Sequence, residues 1–295
     1  MLFHRRNKEK LSTKAKNFKL TKEARQRIEN EFDGESAENF TNYDIYEEKP
    51  KRRRWRKLII SVVMVCVLVL AVNVGLLLFT GQLWFNEPRK RDYPVRGPVI
   101  SESEGKVNWN GFAEQNIQMS YIRATKSTAY EDKNFEQNKK GAADTELPVG
   151  YLHVFDLTMD GTDQAEHFAD TAGDLSGLLV PAVEVDRTGF YKIVPVDYDD
   201  LSEKLSDYVN AIERYCGRKP VIKCGKDIYE NVVSREEFDD CSVWYVSEYS
   251  KPDENVRWDF WGYSSRVRFN YYESGGYLEM TLFNGSEEEF GNMFI

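Results

Sequence analysis

Residues 149–185 have the sequence VGYLHVFDLTMDGTDQAEHFADTAGDLSGLLVPAVEV. Apolar residues dominate both ends of this stretch, and the segments Val149–Phe155 and Leu179–Val185 are typical of buried strands. Between them, Thr162–Ala172 has the composition of a surface helix. Two strands joined through a helix form the unit from which parallel sheets with covering helices are built. This stretch therefore predicts an α/β fold.

The same alternation extends to both sides of this unit. Further strands are predicted at Pro98–Ser101, Met119–Arg123, Pro220–Lys223, Val243–Val246, Trp258–Gly262 and Tyr277–Phe283. Further helices are predicted at Gly111–Gln115, Phe135–Thr145 and Leu201–Tyr215. The later strands follow one another too closely for full helices between them. Eight strands, with helices between only the first five or so, predict an irregular TIM-like barrel of about five β/α units followed by β-strands, over residues 97–295.

A long apolar run precedes the barrel. Residues 58–80, LIISVVMVCVLVLAVNVGLLLFT, are 23 residues without a charge. At a rise of about 1.5 Å per residue, such a helix crosses a hydrocarbon core of roughly 30 Å. A cleaved signal peptide is disfavoured because 57 residues precede the run. We therefore predict one transmembrane helix that acts as a signal anchor.

Charge predicts the orientation of this helix. Residues 1–57 carry 17 Lys and Arg against 10 Asp and Glu, whereas residues 81–295 carry 23 against 39. Because cations favour the cytoplasmic side, we predict a single-pass protein of the cell membrane with a cytoplasmic N-terminus and an extracellular C-terminal domain. Residues 1–57 are interpreted as a basic, largely disordered tail with one short helix near 21–32. Residues 81–96 are a predicted tether, and the acidic outer domain excludes nucleic acid as its partner.

The cysteines and histidines limit which disulfides and metal sites the chain could form. Cys66 lies in the apolar run, and Cys216, Cys224 and Cys241 lie outside it. An odd number of outer cysteines cannot all pair internally, and a bridge between Cys216 and Cys224 is left open. No Cys or His spacing is typical of a zinc site. The sequence thus predicts no metal and no cofactor.

Candidate functional residues lie at the C-terminal ends of strands, where barrels carry their sites. Glu184 and Asp186 share one face of the fourth strand and could act as an acid and its partner in glycoside hydrolysis. Exposed strand ends often carry such acids, so this pair alone is weak. His153 is more often a structural residue in such a context. The aromatic residues of the C-terminal third are mostly core residues, although aromatic faces also stack on sugar rings.

Seven sequence blocks strengthen the functional interpretation. They are YPVRG at 93–97, VNWNGFAEQNIQMSYIRAT at 107–125, YEDKNFEQNKKGA at 130–142, LPVGYLHVF at 147–155, GRKPVI at 217–222, FWGYS at 260–264 and LFNGSEEEF at 282–290. In this order they resemble glycoside hydrolase family 25, the lysozymes that cut peptidoglycan glycan. The third block, for example, is similar to the family's Y-x-D-x-x-F-x-x-N-x-x-x-A. The resemblance implies peptidoglycan as a partner and a sugar groove that includes His153, Trp244, Trp261 and Tyr263.

The family's acidic residues do not all transfer to this chain. Val99 replaces the Asp of the family's first strand, and Lys126 replaces the Glu of K-A-T-E-G. The family's fourth strand ends in D-x-E, whereas this chain has Glu184 and Asp186 in the opposite order. Gly262 replaces the Gln of W-Q-Y-S, and Glu279 replaces the Asp of D-L-N. Exchanging Asp and Glu shifts each carboxyl by about 1 Å, which can cost around a hundredfold in rate. Val99 cannot stabilise an oxocarbenium-like transition state. Lys126, if it faces the cleft, lowers the pKa of a neighbouring acid.

Three interpretations follow. The first is a lysozyme-like domain that binds peptidoglycan glycan with impaired or lost hydrolysis. The second is an active muramidase that cuts the β-1,4 bond between N-acetylmuramic acid and N-acetylglucosamine, with Asp186 or Glu184 as proton donor, Glu279 beside them and the substrate's acetamido group as nucleophile. The third is a structural role with a protein partner in the cell envelope.

Overall fold

The computed structural model describes residues 52–80, 87–187, 192 and 194–295. The tail 1–50, with its predicted short helix, lies outside the described residues. Helix α1, Arg52–Phe79, contains the predicted span except for its last residue. Its segment Trp55–Phe79 has a mean hydropathy of 3.0 and is long and apolar enough to cross a membrane. The chain divides into two compact units, Met1–Val72 and Asn73–Ile295, so the division falls within α1.

The domain is built on a nine-stranded sheet that closes on itself. The strands are β1 Arg96–Ile100, β2 Ser120–Lys126, β3 Tyr130–Glu131, β4 Val149–Val154, β5 Ala182–Val185, β6 Val221–Cys224, β7 Val243–Val246, β8 Phe260–Val267 and β9 Leu278–Phe283. Their order is β1-β9-β8-β7-β6-β5-β4-β2-β3, and a parallel pairing of β1 with β2 completes the barrel. The neighbours from β2 through β4 to β8 are parallel, whereas β9 is antiparallel to β1 and β8. The predicted TIM-like barrel is confirmed.

Helices flank the strands of the barrel, and the first four of them after α1 lie between the early strands, as predicted. They are α2 Trp109–Ala113, α3 Phe135–Ala143, α4 Gly161–Ala172, α5 Tyr198–Cys216, α6 Lys226–Ile228 and α7 Glu287–Phe290. A π-helical segment, Tyr229–Val233, extends α6, and 3-10 turns lie at Glu102–Glu104, Glu236–Phe238 and Gly291–Met293. The Asp160 and Asp197 carboxylates accept backbone N–H bonds at the starts of α4 and α5, which fixes where these two helices begin.

The parallel strands β4 to β8 are buried on both faces. Leu152, Ala182, Val221, Trp244 and Phe260 belong to one apolar cluster that fills the inside of the barrel. The residues that alternate with them pack outward against the helices in a second, larger cluster. The interior of the barrel is therefore a packed core.

Part of the predicted tether is packed on the domain. The Arg96 guanidinium donates to the carbonyls of Pro88 and Tyr93, at 3.3 and 2.8 Å. The Tyr93 ring lies 6.1 Å from the ring of Trp258 and 6.5 Å from that of Trp261. The domain therefore begins earlier along the chain than residue 97.

The cysteines of the described segments carry free thiols. Cys224 and Cys241 are buried, and Cys216 is partly buried. The bridge left open between Cys216 and Cys224 is not formed.

Candidate active site

The strands β5, β6 and β7 place three side chains in a row inside the barrel. Glu184 is the register partner of Lys223, and Lys223 is the register partner of Trp244. All three face the interior because they alternate with residues of the outer cluster. Glu279 on β9 faces the same space from the other side of the barrel, where its carboxylate meets the Lys223 ammonium.

These residues border an open cavity at the C-terminal ends of the strands. Its volume is about 190 Å³. The lining residues are Glu184, Asp186, Lys223, Cys224, Gly225, Val246, Glu248, Ser265 and Glu279. Four carboxyl groups and one amine therefore converge on one space.

The Lys223 ammonium is the centre of this site. Its Nζ donates to Glu184 Oε2 at 3.0 Å and to Glu279 Oε2 at 2.7 Å. The lysine side chain is only 2% exposed, whereas the two glutamates are 26% and 27% exposed. Nζ also lies 5.2 Å from the centre of the Trp244 ring, so the aromatic face supports the cation from a third direction.

The protonation of the site follows from these contacts. Burial alone would lower the pKa of Lys223, but the charges of Glu184 and Glu279 outweigh it and raise the pKa above that of an ordinary lysine. Burial and the neighbouring Glu184 charge raise the pKa of Glu279, although the Lys223 ammonium opposes this shift. Lys223 is therefore a permanent cation between two acids.

Some other polar atoms at the site have no hydrogen-bond partner among the described residues. Glu279 Oε1, Trp244 Nε1 and Thr281 Oγ1 are buried atoms without a hydrogen-bond partner among the described residues. Asp186 follows β5 directly, and its side chain is exposed at the cavity. In the part of the chain that the structure describes, no group of His, Cys, Asp and Glu side chains could hold a metal ion.

Comparisons with known proteins match this barrel. The model of the glycosyl hydrolases family 25 matches residues 100–271, which is more than half of the chain. The chain belongs to glycosyl hydrolase family 25. The family predicted from the seven sequence blocks is thus confirmed.

Relatives and solved structures agree with this assignment. The chain is 26% identical to a family 25 glycosyl hydrolase from Bacillus anthracis, with a TM-score of 0.65 and coverage of 71% of this chain and 97% of that one. A bacterial lysozyme from Streptomyces coelicolor shares the fold, with a TM-score of 0.60, 21% identity and coverage of 68% and 96%. The autolytic lysozyme of Clostridium acetobutylicum is 26% identical over 61% of this chain and 51% of its own length. The uncharacterized protein YegX of Escherichia coli K12 is 23% identical over 67% and 72%.

The family 25 positions that depart from the pattern can now be placed. Val99 on β1 is the register partner of Glu279, so an apolar side chain stands beside this acid where the family has Asp. Lys126 is exposed at the end of β2 and does not line the cavity. The condition on which Lys126 was expected to act on the acids, that it faces the cleft, is therefore not met, and the cation that contacts Glu184 and Glu279 is Lys223.

His153 does not reach the cavity. It is fully buried on the outer face of β4, where its Nδ1 accepts from Thr125 Oγ1 at 2.8 Å and its Nε2 donates to Gln164 Oε1 at 3.2 Å. Its ring stacks on Tyr208 of α5 with a centroid distance of 5.1 Å. Burial lowers the pKa of His153 to about 3. The predicted role in a sugar groove is therefore corrected to a neutral residue between sheet and helices.

Three aromatic residues predicted for the groove lie elsewhere too. Trp261 and Tyr263 point to the outer face of β8, where they pack with Met280 and Leu282. Trp261 Nε1 donates to the Ser247 carbonyl at 2.9 Å. Trp244 lies inside the barrel but is fully buried beneath Lys223, so it supports the site without being open to a ligand.

Sequence reasoning missed Lys223 and Glu248. Lys223 was the last residue of a predicted strand, and a lysine within the otherwise apolar run VIKC was the available signal. A charge in such a strand is rarely tolerated without partners. Glu184 on the neighbouring strand β5 and Glu279 on β9, across the barrel, supply these partners here.

Proposed function

We propose that this family 25 protein is anchored in a membrane by α1 and that its extracellular domain binds the glycan of peptidoglycan with hydrolysis impaired or lost. The observation that carries the proposal is the double ion pair from Lys223 to Glu184 and Glu279. Peptidoglycan as the ligand is supported by the family and by the open cavity in the position where barrels carry their sites.

The ion pairs oppose the first chemical requirement of glycoside hydrolysis. A carboxylic acid must hold a proton near neutral pH and deliver it to the leaving oxygen, and enzymes raise the pKa of that acid for this purpose. Glu184 Oε2 instead accepts a hydrogen bond from the Lys223 ammonium at 3.0 Å, so the carboxyl group is engaged as an acceptor and not directed at a leaving oxygen. Glu184 is therefore a poor proton donor.

The same lysine opposes the second requirement. The transition state carries positive charge at the sugar ring, and negative groups around it supply stabilisation. Lys223 offsets two of the four carboxylates of the cavity, and Val99 contributes no charge next to Glu279. Both effects reduce the rate without closing the cavity to a sugar.

A second function is favoured by one observation. Asp186 lines the cavity, and no hydrogen bond or ion pair joins its carboxylate to another described residue. It is therefore available as the proton donor of a slow muramidase. A purely structural role in the envelope is less well supported, because bulky side chains do not fill the cavity.

Binding to purified peptidoglycan tests the proposal. The full chain in detergent is sedimented with insoluble peptidoglycan, and the bound fraction is measured. We expect the wild type to sediment and the variant Ser265→Trp, which fills the cavity, to remain in solution. The variant Ser234→Trp, at an exposed position outside the cavity, serves as the control and should bind like the wild type. A wild type that stays in solution, or equal binding by Ser265→Trp, contradicts the proposal.

A further inference from the structure

Large apolar side chains are exposed mainly at one end of the barrel. Among the described residues after position 86, the exposed ones are Tyr130, Met159, Tyr215, Tyr249 and Tyr271. All except Tyr215 lie in segments that follow the C-terminal end of a strand, at the same end as the cavity. Tyr215 lies at the end of α5, at the opposite end of the barrel. An aromatic side chain exposed beside a cavity can extend its binding face.

Tyr249 stands out within this group. Its side chain is 75% exposed, and it directly follows Glu248, which lines the cavity. The turn that carries it is fixed to β8, because Ser247 N donates to the Gly262 carbonyl at 3.0 Å and Trp261 Nε1 donates to the Ser247 carbonyl at 2.9 Å. The ring is thus presented to solvent from an anchored position at the rim.

The size of the cavity indicates what such a ring could meet. Pockets that enclose a whole ligand measure roughly 300–1,000 Å³. A cavity of about 190 Å³ is smaller, so only part of an extended glycan could enter it. The rest of the chain would leave over the rim, where an aromatic face can cover the apolar face of a sugar ring.

We propose that Tyr249 is a stacking platform for a sugar ring of the bound glycan just outside the cavity, so that the binding face continues across the turn at 247–250. This inference rests on the proposed function and adds a second contact region to it. The ligand class is a glycan of at least several sugar units. In this proposal a disaccharide contacts the cavity without reaching Tyr249, whereas a longer chain contacts both.

The test compares soluble peptidoglycan glycans of two lengths, a disaccharide and an octasaccharide, on the full chain in detergent. We expect Tyr249→Ala to weaken octasaccharide binding about tenfold and to leave disaccharide binding unchanged. Tyr249→Phe keeps the ring and should bind like the wild type. Tyr215→Ala, at the opposite end of the barrel, is the control and should change neither affinity.

The outcomes separate the two proposals. If the wild type binds both glycans and Tyr249→Ala binds the octasaccharide equally well, the platform is wrong and the proposed function stands. If Tyr249→Ala also loses the disaccharide, the residue acts within the cavity and the platform is again wrong. If the wild type binds neither glycan, both proposals are overturned.

Discussion

One lysine sets the charge of the cavity. Lys223 is buried, and breaking a buried ion pair by removing one partner leaves the other charges uncompensated. Because Glu184 and Glu279 lie within bonding distance of the same ammonium, without it they would repel each other. The pair would then hold a proton near neutral pH, as two adjacent carboxylates do.

The variant Lys223→Met should therefore be unstable in a pH-dependent way. We expect a loss of about 3 kcal/mol in the free energy of unfolding at pH 7, at the low end for a buried pair because both glutamates are about a quarter exposed. The folded variant binds a proton more tightly than the unfolded chain, so the loss should shrink between pH 7 and pH 5. Urea unfolding of the full chain in detergent measures this.

The matched control is Lys226→Met, because Lys226 is 69% exposed and pairs with Glu230 at 3.5 Å. Its effect should be at most about 0.5 kcal/mol and independent of pH. An equal loss for both variants, or a loss at position 223 that grows on acidification, would contradict the ion-pair account.

His153 provides a second test at the residue scale. Its pKa is about 3 in the folded protein because of burial, against 6.5 for a free histidine. As pH falls below 6.5, the unfolded chain takes up a proton at this histidine that the folded protein cannot. The contribution of His153 to the free energy of unfolding is therefore complete above pH 6.5 and is lost as pH falls towards 3. Between pH 6 and pH 4, this residue should lower the free energy of unfolding of the wild type by about 1.4 kcal/mol for each pH unit.

In the variant His153→Gln, the free energy of unfolding should no longer fall with pH by this amount, whatever its value at pH 7. His167→Gln changes a partly buried histidine whose Nε2 lies 3.2 Å from the Tyr130 carbonyl oxygen, and this variant should keep the pH dependence that His153 causes. Unfolding free energies at three pH values are sufficient. The account fails if His153→Gln and the wild type have parallel pH profiles.

The residues that sequence analysis misplaced share one physical cause. Parallel strands of a barrel are buried on both faces, so an apolar strand does not reveal which face is the interior. His153, Trp261 and Tyr263 were assigned to the groove, yet they lie on outer faces. Glu184 and Asp186 could be placed at the cavity because they end a strand on one face, and Glu279 because the family pattern fixed its position. Lys223 was missed because its partners Glu184 and Glu279 are far from it in sequence, so the sequence does not show that a cation in this strand would be paired.

At the scale of elements, the strands and helices were largely predictable. All eight predicted strands are present, and β7 has the predicted bounds. The two-residue strand β3 was not predicted, because a pair as short as Tyr130 and Glu131 has no recognisable periodicity. The observed strand ends differ from the predicted ones where pairing with a neighbour extends a strand. For example, β8 continues to Val267, which pairs with Leu278 of β9.

The packing of α4 on α5 depends on a close backbone approach. A Cβ atom on Gly161, the first residue of α4, would lie 1.8 Å from the Lys204 carbonyl oxygen in α5. Gly161→Ala should therefore separate these helices and reduce the free energy of unfolding by about 1–3 kcal/mol. Gly291→Ala is the control, because a Cβ there meets nothing within 4 Å and the φ of −55° suits any residue. Thermal unfolding should show a lower midpoint for the first variant only.

At the scale of the whole molecule, the proposed topology has a direct consequence. Helix α1 would place residues 1–51 inside the cell and the acidic domain outside it. Protease added to intact protoplasts should remove an epitope at the C-terminus and spare one at the N-terminus. Protection of the C-terminal epitope, with loss of the N-terminal one, would show that the orientation is reversed.

The release of reducing ends from purified peptidoglycan tests the central claim most directly. The full chain in detergent is compared between pH 5 and pH 8 with the autolytic lysozyme of Clostridium acetobutylicum as the active reference. Because the Lys223 ammonium forms ion pairs with both Glu184 and Glu279 and Val99 adds no charge, we predict that the wild type sediments with the polymer but releases reducing ends more than about a thousandfold more slowly than the reference. Release within about tenfold of the reference, abolished by Asp186→Asn, would contradict the account and establish an active muramidase.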